Sequence, residues 1–193
     1  MPPARNVRSR LPSQAVARIL MIAGGERGRA LAAELVADGH AVRITTRTEA
    51  GRAAIEAAGA ECWIGTPDRL ASLRYALDGV TLACWLLGTV SGSPAALRDL
   101  HGSRLEFFAR QTIDTTVRGL VYEAAGTVPA STLSAGSALV RAIADHNAIP
   151  MALLDADPCD REAWRTQALE AVRSLLAARP ATLHSPGQRQ SVP

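Results

Sequence analysis

The chain contains no lysine, and all 21 of its basic residues are arginine. Wherever chemistry asks for a lysine, as base, Schiff-base former or ammonium anchor for a phosphate, this protein does without one. Aromatic residues are scarce, at 4%, so a base-stacking platform for single-stranded nucleic acid has little to be built from. The three cysteines, Cys62, Cys84 and Cys159, are odd in number and scattered. That speaks against a disulfide framework and against a zinc site with paired ligands, and no metal is expected. No apolar run approaches the roughly 20 residues needed to cross a bilayer. The opening residues Met1-Pro2-Pro3-Ala4-Arg5-Asn6 lack the apolar segment of a signal peptide. The net charge of +3 is too small and too dispersed to mark a nucleic-acid face. Together these absences predict a cytoplasmic protein with neither a membrane nor a nucleic-acid partner.

What is present is material for one core: 193 residues, 48% of them hydrophobic, near the size of a single domain. Residues 1–16 and 180–193 carry prolines and arginines without apolar periodicity and are expected to be flexible tails. The domain is expected over residues 17–179. Within it, strand-like and helix-like stretches alternate, which predicts βαβ crossovers and a parallel sheet covered on both faces. Strands are expected near 17–23, 41–46, 61–64, 80–87, 119–124 and 150–154. Helices are expected near 28–38, 50–58, 66–77, within 94–112 with a break at Gly102, and at 132–146 and 160–178. Thr66 and Asp157 are the expected caps of the third and last helices. Right-handed crossovers then give an α/β doubly wound sheet of order 3-2-1-4-5-6, with its crevice at the carboxyl ends of strands 1 and 4.

The most informative stretch is Ala23-Gly24-Gly25-Glu26-Arg27-Gly28, between the apolar run Ile19-Leu20-Met21-Ile22 and a helix-like segment. A tight glycine turn there leaves bare backbone N–H groups and a positive helix end facing the crevice, where a diphosphate can sit. Gly25 permits close phosphate approach, Gly28 permits helix–strand packing, and Arg27 or Arg29 adds charge. Ala23 stands where the fingerprint has its first glycine. Strand 2 ends in Thr46-Arg47, where a reader of NAD places a carboxylate and a reader of NADP an arginine. Arg47, helped by Thr46, Thr48 or Arg52, therefore favours NADP over NAD. Gly88-Thr89, after the fourth strand, form a second candidate ligand wall.

On Gly24-Gly25-Glu26-Arg27-Gly28, Thr46-Arg47 and the order of elements to Val80-Thr81-Leu82-Ala83-Cys84-Trp85, the chain resembles the NAD(P)-binding Rossmann superfamily. Within it, atypical short-chain dehydrogenase/reductases and NmrA-like proteins are the nearest in kind. The resemblance covers about residues 17–157. It implies a small NADP(H)-dependent oxidoreductase or, alternatively, a non-catalytic dinucleotide sensor of the NmrA kind. The family's Tyr-x-x-x-Lys pair is missing, since Tyr122 has Gly126 four residues on and lies on a strand.

His101 and Tyr122 remain the candidates for moving a proton. Their alternatives are a surface histidine at a helix break and a core phenol. Glu123 is a candidate base, or a capping or solvated carboxylate. Ser91 and Ser93 lack a nucleophile elbow. Phe107, Phe108 and the stripe Trp164, Ala168, Leu169, Val172 on the last helix are packing surface, against the sheet or against a second copy in a homodimer.

Overall fold

The computed structural model describes residues 16–22 and 25–178. Apart from Val16, the expected tails lie outside the described residues, as does Gly24. Six strands form one parallel sheet of order β3-β2-β1-β4-β5-β6, the expected doubly wound arrangement. The strands are β1 (Arg18–Ile22), β2 (Ala41–Thr46), β3 (Glu61–Ile64), β4 (Leu82–Trp85), β5 (Leu120–Glu123) and β6 (Met151–Leu154). The helices are α1 (Glu26–Ala37), α2 (Arg52–Glu56), α3 (Pro94–His101), α4 (Ser103–Ile113), α5 (Ala130–His146) and α6 (Arg161–Ala177).

Strand side chains alternate between two cores. Ile19, Met21, Ile44, Cys84 and Val121 pack beneath α1 and α6 with Leu31, Leu35, Trp164 and Val172. Leu20, Ile22, Trp85, Leu120 and Tyr122 face the other side and pack with Phe108 of α4 and Val140 of α5. A sheet buried on both faces needs continuously apolar strands, and β1 and β4 have them.

Several expected boundaries move. Helix α1 starts at Glu26 rather than Gly28, with Gly25 extended as its N-cap, so Glu26 and Arg27 belong to the first helical turn. The helix expected over 66–77 is replaced by two 3-10 turns, Leu70–Leu73 and Tyr75–Leu77. The Ser72 hydroxyl accepts from the Thr66 amide and donates to the Arg69 carbonyl, while the Trp63 indole takes the Ser72 carbonyl. These side-chain bonds use backbone groups that a continuous helix would need. Helix α6 is capped by Asp160, which accepts from the Ala163 amide at 3.0 Å, and not by Asp157, whose carboxylate takes the Cys159 amide. The break at Gly102 between α3 and α4 is as expected. Among the described residues no helix is long and apolar enough to cross a membrane.

Candidate functional site

At the carboxyl ends of β1 and β4 lies a cleft of about 660 Å³, lined by Gly25, Arg27, Leu86, Thr89, Cys159 and Trp164 among others. A second cavity of about 280 Å³, lined by Thr46, Arg47, Pro67, Asp68 and Leu100 among others, shares Leu87 and Val90 with it. The pair occupies the switch point at which the strand order reverses, where doubly wound sheets hold their ligands. The larger cleft is of ordinary small-molecule size.

The end of α1 is open. No side chain caps it at Gly25, and a Cβ added there would meet nothing within 4 Å. Its first-turn N–H groups therefore have no side-chain partner from the cap position and carry the positive end of the helix dipole. Gly28 is buried within α1. Glu26 also lines the cleft, where its carboxylate pairs with Arg161 of α6 at 2.6 Å.

At the other end, Arg47 is exposed in the lining of the smaller cavity and has no hydrogen bond or ion pair among the described residues. Thr46 beside it is half-buried, its hydroxyl 3.3 Å from the Thr48 carbonyl. Arg52 is not a second anchor, since Glu49 and Glu56 clamp its guanidinium at 2.6 and 3.2 Å. Asp68, also in that lining, is paired with Arg104.

Between the two ends lies an arrangement that the sequence did not reveal. Glu123, the last residue of β5, is neither solvated nor a cap. It is fully buried, and its carboxylate accepts from the Gly88 amide at 2.6 Å, Arg27 Nη1 at 2.7 Å and Trp164 Nε1 at 2.8 Å. Arg27 Nη2 also donates to the Thr89 hydroxyl at 2.8 Å, and its guanidinium lies over the Trp164 ring. The Gly88 amide is thus spoken for by Glu123, and its carbonyl by the Val128 amide. The only sequence signal was a carboxylate in phase with the apolar residues that end a buried strand.

His101 and Tyr122 do come together, Nδ1 to hydroxyl at 2.8 Å, but inside the core at 2% and 1% exposure. His101 is therefore not a surface residue. Burial lowers its pKa, with the Leu87 backbone opposing, and Nε2 has no hydrogen-bond partner among the described residues. Burial, reinforced by the charge of Glu123, raises the pKa of Tyr122. Neither residue lines the two cavities.

No family model matches the chain. No curated protein matches it either. Its structure is similar to that of a Citrobacter sp. triphenylmethane reductase complexed with NADP(H), with a TM-score of 0.55 and 18% identity over 72% of this chain and 49% of that one. It is similar to a short-chain dehydrogenase from Streptomyces avermitilis, with a TM-score of 0.58 and 18% identity over 75% and 66% of the two chains. It is similar also to UDP-glucose 4-epimerase from Thermotoga maritima with UDP-glucose, with a TM-score of 0.60 and 12% identity over 72% and 54%. The chain spans about half the length of several such structures. At these identities the likeness is one of fold: the chain shares with these proteins the doubly wound, Rossmann-like α/β architecture.

Proposed function

We propose that the cleft binds NADP(H) and that the chain serves as an oxidoreductase of the atypical short-chain kind. The observation that carries this reading is the uncapped N-terminus of α1 at Gly25, open onto the 660 Å³ cleft. The first-turn amides of α1 would hold the diphosphate. The smaller cavity would take the adenosine end, with Arg47 forking onto the 2′-phosphate and Thr46 beside it. The similar reductase complexed with NADP(H) supports that choice of cofactor.

When bound, such a cofactor supplies or accepts a hydride, and the protein's part is to orient it and exclude competing reactions. Among the described residues lining the two cavities there is no tyrosine or histidine. Tyr122 and His101 are sealed in the core, so neither is placed to supply the proton that accompanies reduction; of these two and water, water in the cleft is the remaining donor.

Fluorescence titration with NADPH and NADH tests the reading. Wild type binds NADPH more tightly, and Arg47→Ala weakens NADPH by about tenfold while leaving NADH unchanged. An Arg47→Ala protein that keeps the preference removes the role of Arg47, and a wild type that binds neither cofactor removes the dinucleotide site. Oxidation of NADPH with carbonyl and quinone acceptors tests turnover. Tight binding without turnover leaves the binding site standing and removes the oxidoreductase.

A further inference from the structure

Arginine in the first turn of a helix is placed against the dipole, yet Arg27 occupies that turn, at the mouth of the cleft. Its guanidinium is held on three sides: Nη1 by buried Glu123, Nη2 by Thr89 and one face by the Trp164 ring. Swinging away would leave the Glu123 carboxylate buried with two neutral donors, the Gly88 amide and the Trp164 indole. An ion pair broken that way is strongly unfavourable, so Arg27 stays. A guanidinium has five N–H donors, and two are used in these bonds. The side chain is still 20% exposed and lines the larger cleft.

We infer that Glu123 is a positioning residue, which fixes Arg27 as a preorganised anion receptor for the diphosphate of the bound dinucleotide. This rests on the dinucleotide-binding reading and deepens it. Arg27 supplies beside the α1 amides the cationic contact that no lysine is present to make, and Glu123 gives it one orientation. Because the diphosphate is common to NAD and NADP, the pair acts on both cofactors alike, whereas Arg47 acts on one. Gln at position 123 would offer a single acceptor oxygen to three donors and turn an NH2 group toward them, releasing the guanidinium.

The test compares dissociation constants of NADPH, NADH and 2′-AMP, which lacks the diphosphate, for wild type, Glu123→Gln and the double variant R27A/E123Q. Active fractions are taken from binding stoichiometry. Glu123→Gln is expected to weaken NADPH and NADH equally, by about tenfold, and to leave 2′-AMP unchanged. Removing Arg27 in that background is expected to cost no more than about twofold further, because the two residues act as one unit. A folded Glu123→Gln protein that binds both dinucleotides as well as wild type overturns the inference, as does one that loses 2′-AMP in proportion. A wild type that binds 2′-AMP but no dinucleotide overturns it together with the diphosphate site. Should Glu123→Gln not fold, Thr89→Val, which removes only the acceptor of Nη2, carries the same test. It is expected to weaken both dinucleotides by about threefold, and unchanged binding overturns the inference.

Discussion

Tyr122 and Glu123 are neighbours on β5 whose side chains leave the sheet on opposite faces, and that alternation assigns them different work. Tyr122 points toward α5, where Gly136 makes room for its hydroxyl, since a Cβ there would lie 2.2 Å from it. Its one good partner is His101 Nδ1. Tyr122→Phe strands a buried imidazole and is expected to cost about 1–3 kcal/mol of stability in urea unfolding, with cofactor affinity unchanged. Burial lowers the folded pKa of His101 below its unfolded value, so the unfolded chain binds the extra proton first. The stability held by the neutral ring is then full above about pH 6.5 and is lost as the pH falls from there through the depressed folded value. Comparing urea midpoints of wild type and His101→Gln between pH 7.5 and 5.5 should show the steeper fall in wild type; parallel curves would remove this linkage. Neither role was visible in the sequence. A histidine beside glycine reads as a helix break, which it is, but its ring is held in the core against Tyr122 of β5, a residue distant in sequence. Arg47 was legible because its position depends only on where one strand ends. Glu123 was not, because its partners come from α1, the β4 loop and α6.

The elements themselves were easier to read than their junctions. Apolar runs placed β1 and β4 to within a few residues, since a strand buried on both faces admits little else. The junctions were misread where side chains compete for backbone groups, as Ser72 does after β3. Polar residues near a helix start are likewise ambiguous, and Asp157 and Asp160 both suit a cap by type. Only Asp160 bonds the α6 amide, so Asp160→Ala is expected to cost about 1 kcal/mol and Asp157→Ala distinctly less, as measured by thermal midpoints. The loops after β4 and β5 are tied by a backbone contact of unusual closeness. A Cβ at Gly126, where φ is +153°, would lie 2.0 Å from the Gly88 carbonyl oxygen, and one at Gly88 would lie 2.2 Å from that of Ala125. The Gly88 amide held on Glu123 lies between Leu87 and Thr89, which line the cleft. Gly126→Ala is expected to destabilise the protein by more than the about 1 kcal/mol of a simple glycine replacement. It should also weaken dinucleotide binding, which an allowed Gly→Ala change elsewhere would not do.

At the scale of the whole molecule, the doubly wound order makes α1 and α6 run side by side in one direction on one face, both N-termini at the cleft. Arg161, Arg165 and Arg173 of α6 meet Glu26, Glu34 and Asp38 of α1 in the same sequence. These ion pairs are largely exposed and screened by solvent, so they set the register of the two helices more than their adhesion. Adhesion comes from Trp164, Ala168, Leu169 and Val172, all buried against the sheet, which uses this stripe internally. Trp164 joins that packing to the cleft, because its ring carries Arg27 and its N–H reaches Glu123. The two contributions separate by substitution. Trp164→Phe keeps most of the ring and gives up one buried hydrogen bond, for an expected loss of about 1–2 kcal/mol. Trp164→Ala also opens a cavity, for about 3–5 kcal/mol. Urea unfolding at low and high salt measures both, and added salt should shift the midpoints little beside the Ala effect. If Trp164→Ala costs no more than Trp164→Phe, then α6 does not close the sheet, and the support beneath Arg27 must lie elsewhere.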